Sequence, residues 1–510
     1  MTEALAEEPG SVHNRGLITA SVMLASIMQA LDNTIANVAL PRIQGSLSTT
    51  QDQMTWVLTS YIIAAAIMTP LSGWLAGQIG RRRVFLYSIV GFTVASALCG
   101  LAQSLPEIVL ARLFQGLCGA ALIPMSQAVL LDINPPEKHA RAMSMWVMAV
   151  IIGPILGPVL GGWLTENYNW RWVFYINVPF GILSFLGVLL FMPETKIRKS
   201  AFDFFGFTTL SFAIGAFQLM LDRGQLKDWF NSTEIWIEAA VAGFALYLFI
   251  VHMLTTTKKP FVSPALFKDR NFLTGNVFIF IVGVVLFATL ALLPPLLQDL
   301  MHYPVVLTGL LTAPRGVGTL AAVFIVGWIM GKVDTRLIIA TGFVLTAYSL
   351  WQMTGFYLQM NSSLVMWSGL IQGLGTGFVY VPLAAITFAT LSPQYRNEGT
   401  AMFSLIRNVG SSIGISVVET MLTRGTQTMH SRLAEQVTPF GGGLHALPRE
   451  ALSTSGGLAQ LNQLVSNQSA MIAYNNDFKM MMILTVCAIP LIMLLKTAQA
   501  KKGAEPMVME

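Results

Sequence analysis

The chain has 510 residues, of which 54% are hydrophobic and only 11% charged, against about 25% charged in a soluble domain. So few charges cannot cover the water-facing surface of a chain this long, and mean hydropathy is +0.64. Composition thus excludes an ordinary soluble protein and points to an all-α integral membrane protein. The net charge of +5 is small and dispersed, which gives no nucleic-acid signal. Cys99, Cys118 and Cys487 fall in separate apolar runs, so neither a disulfide framework nor a metal site is expected. The acidic start "MTEALAEEPG" lacks a basic stretch followed by an apolar core, so no cleavable signal peptide is expected.

In chain order, fourteen apolar segments approach the length needed to cross a bilayer core. They are 17–39, 54–78, 84–104, 107–131, 142–164, 172–192, 204–221, 235–255, 272–296, 305–330, 336–356, 363–390, 399–422 and 478–497. The first carries Asp32, fifteen residues in, and so about 22 Å along the axis at 1.5 Å per residue. A charge there is costly unless it meets a cavity or a partner. Asp32 reads either as a solvated acid near the helix end or as a cavity carboxylate able to exchange a proton. After the second segment comes "GWLAGQIGRRR" (73–83), with Gly73, Gly80, Arg81 and Arg82. Its basic run reads either as a topology anchor or as a group acting on helix ends and lipid phosphates. The fourth segment carries Arg112, which holds its proton at any usable pH. It either reaches the interface or neutralises a carboxylate.

The fifth segment holds "GPILGPVLGG", with Gly153, Pro154, Gly157, Pro158, Gly161 and Gly162. Three of these glycines recur every four residues, so they share one helix face and let a neighbour approach. The prolines remove donors and bend the segment. Plain packing and a mobile seam both fit this pattern. Arg315, in the tenth segment, and Arg407 with Asn408, in the thirteenth, lie near mid-membrane. Freed backbone carbonyls or a cavity would suit them equally. A polar stretch, 423–477, precedes the last segment and contains "LAQLNQLV", whose leucine spacing predicts a short amphipathic helix.

Alternate connections are unequal in charge. Nineteen basic residues, among them Arg15, Arg81–Arg83, Lys138, Arg141 and Arg396, fall on one side, against four in the short loops of the other. The positive-inside rule then places both termini in the cytoplasm. Segments also recur: "GWLAGQIGRRR" resembles "GWIMGKVDTR" (327–336), and "QGLCGAALIP" (115–124) resembles "QGLGTGFVYVP" (372–382). The near-constant offset in one membrane orientation predicts two parallel six-helix halves. The expected plan is a tail 1–16, a first half 17–192 and a linker 193–256 with two extra spanning helices. A second half 257–497, including an outer loop 423–477, and a tail 498–510 follow.

Several stretches together resemble the major facilitator superfamily, and within it the fourteen-helix drug:proton antiporters of the EmrB/QacA type. They are "LDNTIANVALP" (31–41), "RLFQGLCGAA" (112–121), "GPILGPVLGG", "WRWVFYINVP" (170–179) and "RNVGSSIG" (407–414). The resemblance implies a major facilitator fold of fourteen transmembrane helices in a bacterial inner membrane. It implies a proton relay involving Asp32 and Arg112, with Arg315, Arg407 and Asn408 at the cavity, an antiporter motif at 153–162, and a cytoplasmic gating loop at Gly73–Arg82. One departure stands out. Many members carry Asp where this chain has Gly77, which puts the charge lock of that loop in doubt.

The implied function is proton-coupled efflux of hydrophobic or amphipathic drugs, with no cofactor beyond the proton gradient. Lipophilic small molecules, protons and membrane lipids are the expected partners, and a periplasmic adaptor with an outer-membrane channel is the partner that EmrB-type pumps imply. Alternatives are an exporter of one metabolite, fatty acid or siderophore-like compound acting alone, and a non-transporting sensor. No phosphate-binding loop, HExxH or GxSxG occurs, so neither ATP hydrolysis nor an enzyme is expected.

Overall fold

A computed structural model describes residues 14–135, 138–195, 197, 201–257, 259–437 and 454–495. Each apolar segment falls on a long helix. These are α1 (Arg15–Leu47), α2 (Trp56–Ile79), α3 (Arg81–Leu101), α4 (Leu105–Ile133), α5 (His139–Asn167), α6 (Trp172–Phe191) and α7 (Phe204–Gly224). They continue with α8 (Thr233–Thr255), α9 (Arg270–Leu300), α10 (Val305–Ile329), α11 (Thr335–Met353), α12 (Ser362–Ala389), α13 (Arg396–Gln436) and α14 (Ser455–Ala488). Among the described residues eleven helices are long and apolar enough to cross a membrane; α1, α5 and α11 fall outside that count. Apolar runs become helices in a bilayer because a helix satisfies every backbone donor and acceptor within itself.

Local chemistry sets the helix ends. Asp203, Asp269 and Asp334 each cap a helix start, accepting from the amides of Gly206 (2.9 Å), Phe272 (3.0 Å) and Arg336 (2.9 Å). Asn361 and Thr454 do the same for α12 and α14. Inside α4 the helix breaks at Ala120–Ala121. Pro124, just beyond, has no amide hydrogen to offer the Ala120 carbonyl.

The helix contacts come in matched pairs. In the first half α1 packs on α5 and α6, α4 on α2 and α3, and α3 on α6. Adding eight to each label gives the second set: α9 on α13 and α14, α12 on α10 and α11, α11 on α14. The two sets meet through α5 against α10 and α2 against α13, contacts that a two-fold operation exchanges. Helices α7 and α8 pack on each other, and α7 leans on α2 and α13.

The glycine seam explains the contact of α1 with α5. A Cβ at Gly153 would run into the Ala30 backbone, and one at Gly157 into the Thr34 hydroxyl, with Ile35 N at 3.2 Å. Small residues there bring α5 onto the backbone of α1. Thr34 Oγ1 donates to the Gly153 carbonyl across the seam at 3.2 Å. Gly162 follows in the same helix, and so do Pro154 and Pro158, whose side chains lie outside the described ones. The second set repeats the seam: a Cβ at Gly410 or Gly414 would stand 2.5 Å from the carbonyl of Phe280 or Val284 in α9.

The polar stretch 423–477 differs from its expectation as a loop. Residues 423–436 prolong α13, and 455–477 form the first two-thirds of α14. The two extensions pair, with His430 Nε2 3.0 Å from Asn462 Oδ1. Leu458 and Leu464 stand exposed on this pair, and residues 438–453 between them lie outside the described ones.

Candidate functional site

Asp32 lies on α1 with no exposed surface, and Arg112 on α4 is 1% exposed. Arg112 Nη1 stands 2.7 Å from Asp32 Oδ2. The other carboxylate oxygen accepts from Gln115 Nε2 and from Asn177 Nδ2, both at 2.9 Å. The acid thus has three donors from α4 and α6, a full shell for a buried carboxylate. Arg112 is satisfied in turn. Its Nε donates to the Val57 carbonyl at 3.2 Å, and Nη1 also reaches Gln115 Oε1 at 2.8 Å. Its guanidinium lies 4.2 Å from the centre of the Tyr61 ring. Behind Asn177, Ser96 accepts from its amide at 2.9 Å and donates to the Phe174 carbonyl at 2.8 Å.

Gln115 and Asn177 were not singled out in the sequence, although both sit inside quoted motifs. The signal for Gln115 was its place three residues after Arg112, on the same helix face. Asn177 carried no comparable positional signal.

The second half holds a changed copy of this site. Gln372 Nε2 donates to Thr289 Oγ1 at 3.1 Å. With an offset of 257, Gln372 answers Gln115 and Thr289 answers Asp32, while Gly369 answers Arg112. Arg315 answers Tyr61 at an offset of 254. The cation has therefore moved from α4 to α10, and the acid has become a threonine. Arg315 is 6% exposed and donates from Nη2 to the Leu286 carbonyl at 3.2 Å. Its Nη1 has no partner among the described residues, and the side chain lines a cavity of about 20 Å³ with Gln372 and Thr376. Arg315 thus bonds a carbonyl of α9 and lines a small cavity.

Arg407 donates from Nη1 to the Tyr380 hydroxyl at 2.9 Å and from Nη2 to Asn408 Oδ1 at 3.3 Å. The Tyr380 ring faces Trp146 of α5, centroids 6.0 Å apart, so this group spans the two halves. It does not touch Asp32, whose partners all come from α4 and α6.

One end of the bundle, which carries Arg15, Arg81–Arg83 and Arg396, is called the basic end below. Gly80 adopts φ +89°, a turn open to glycine, and starts α3 so that Arg81 pairs with Asp132 at the end of α4. Asp132 also accepts from Arg396 of α13 at 2.8 Å. Arg82 donates to the Leu189 carbonyl at 2.5 Å, and Arg83 lies 3.6 Å from Glu194. A Cβ at Gly73 would stand 3.1 Å from the Asn397 carbonyl, so α2 also rests on the start of α13 here. Although position 77 is glycine, a charge contact between the halves exists, with its carboxylate supplied by α4. Beside it, His139 Nε2 stands 2.8 Å from the Leu131 carbonyl and 3.1 Å from that of Asn134. Burial, with the nearby Arg396, holds the His139 ring below its usual range.

Residues 22–415 match the sequence profile of the Major Facilitator Superfamily. The chain is 37% identical to the fatty acid resistance protein FarB of Neisseria gonorrhoeae, over 94% of this chain and 96% of that one. It is 36% identical to the multidrug export protein EmrB of Escherichia coli, over 91% and 92%, and 34% identical to the probable multidrug resistance protein EmrY, over 95% and 96%. Among solved structures, the human organic anion transporter MFSD10 (TETRAN) superposes with a TM-score of 0.60 at 12% identity, covering 93% of this chain and 100% of that one. An all-helical multi-pass bundle, doubled contacts and relatives of nearly full length lead to one conclusion: the chain belongs to the major facilitator superfamily, in the company of EmrB-like export proteins.

Proposed function

We propose that the protein exports lipophilic or amphipathic compounds across a bacterial inner membrane in exchange for protons. The observation that carries this reading is the buried Asp32 carboxylate, held by Arg112, Gln115 and Asn177 inside one bundle. A carboxylate there can take a proton only if its donor shell rearranges. Protonation would remove the charge that Arg112 now balances, and so change the relative stability of two arrangements of the helices. No cofactor enters this cycle; the proton gradient drives it. The relatives named for multidrug export and fatty acid resistance support the cargo class.

In this reading α1–α6 and α9–α14 are the two halves, α7 and α8 the inserted pair, and all fourteen helices cross the membrane. The basic end faces the cytoplasm. The halves rock about the contacts of α5 with α10 and α2 with α13, exposing a central cavity alternately. The paired extensions of α13 and α14 then stand on the outer side, where they suit contact with a periplasmic adaptor.

Proteoliposomes test the reading directly. Substrate added to the wild-type protein should release protons in step with its transport, and collapsing the pH gradient should stop efflux. Efflux that continues unchanged without the gradient rules out antiport. A narrower cargo, a single long-chain acid, is favoured by the FarB relative alone, and a substrate panel separates it from a broad range.

A further inference from the structure

The α1–α5 seam closes only part of its length. One stripe of α1 runs through Met23, Ile27, Ala30 and Thr34 at helical spacing. Its upper part rests on Gly153 and Gly157. Toward the basic end the same stripe leaves α5, and a cavity of about 530 Å³ opens between α1, α5 and the end of α4. That volume lies within the range of small-molecule sites, about 300–1,000 Å³.

Its lining is divided in two. Met23, Ile27 and Met145 give an apolar wall, and Arg15, Lys138 and Arg141 stand at the end nearer the helix termini. Among the described residues no acidic side chain lines it. Cations at the helix termini above an apolar wedge complement one chemistry: a negative head on an apolar tail.

We propose that this wedge holds an anionic amphiphile of the adjoining leaflet. The phosphate or carboxylate head lies against Lys138 and Arg141, and one chain lies along Met23, Ile27 and Met145. The site is separate from the Asp32 cluster and does not depend on the proton-exchange reading.

The test is native mass spectrometry of the full-length protein in detergent. It is offered equal amounts of phosphatidylglycerol and phosphatidylcholine with identical chains and, in a second titration, oleate and oleyl alcohol. The wild type should retain an anionic species about tenfold over its neutral counterpart. Each positive charge removed should cost about fivefold, so Lys138→Gln with Arg141→Gln should abolish the preference. Met23→Trp, which fills the wedge and leaves its charges alone, should reduce retention of any occupant. Retained phosphatidylglycerol without oleate identifies a membrane lipid, and retained oleate identifies a free acid; either upholds the site. Equal retention of charged and neutral species by the wild type overturns it. So does a preference that survives both the charge variant and Met23→Trp. Neither readout measures transport, so failed efflux and failed binding remain distinct results.

Discussion

Two buried charges decide much of the behaviour of the first half. Removing one partner of a buried pair leaves the other uncompensated, at a cost of about 3–5 kcal/mol. Asp32→Asn should therefore lower thermal stability and reduce proton-coupled efflux at least tenfold. Adding Arg112→Gln should restore part of the lost stability without restoring transport. A double-mutant cycle by thermal unfolding in detergent measures this. Strictly additive losses would mean that the 2.7 Å pair contributes nothing beyond its separate hydrogen bonds.

His139 makes a separate prediction outside the membrane. Its Nε2–H serves two carbonyls at the end of α4, and burial and Arg396 disfavour the charged ring, although Asp132 opposes them. The folded state then binds fewer protons than the unfolded state just below the ordinary value of 6.5. Stability from this group is present above pH 6.5 and is lost as pH falls through the window beneath it. His139→Gln keeps a donor and removes the titration. The melting temperature of that variant should fall less than that of the wild type between pH 7.5 and 5.5; equal falls would exclude the effect.

At the scale of elements, the seam between α1 and α5 is a tightly constrained contact. Gly157→Leu places a branched side chain where Thr34 Oγ1 and Ile35 N already stand. Insertion should survive, because hydropathy rises, while efflux should be lost and the melting temperature should drop by several degrees. Normal efflux from this variant would reduce the seam to passive packing.

Elements were legible to unequal degrees. The long helices could be read, because a bilayer core asks for about twenty apolar residues in succession. The extension of α13 could not, and of the α14 extension only the amphipathic stretch 458–465 could. Hydropathy reports what avoids water, whereas residues 423–436 and 455–477 are polar but rich in Gln, Met, Leu, Ala and Arg, which favour helix. Asp32 and Arg112 were legible as costly charges. Their pairing was not, since it depends on how α1, α4 and α6 meet. Asp132 also escaped notice, because an acid at a helix end carries no penalty that marks it.

Across the whole molecule, the halves meet at the basic end through Asp132 with Arg396, Trp146 with Tyr380, and Gly73 against Asn397, and toward the other end through Gly309 of α10 against Val159 of α5. The first three pairs tie the halves together at the basic end. Weakening the charge contact should favour opening there. With the exposed Cys487 replaced by serine, a cysteine at Ser144, buried against Gly327 of α10, reports the change. Asp132→Asn should raise its maleimide labelling several-fold. Unchanged labelling would show that the apolar contacts alone keep the end closed.

The length of α13 has a mechanical consequence. It runs unbroken for 41 residues, about 60 Å at 1.5 Å per residue, twice the bilayer core of about 30 Å. One rod thus joins the contact at Arg396 to a point far outside the lipid. If the second half turns by about 10° during a cycle, as in rigid-body domain rotation, the end of a 30 Å projection sweeps through about 5 Å. In such a motion the paired extensions would act as a lever, turning a small tilt inside the membrane into a longer stroke at their far end.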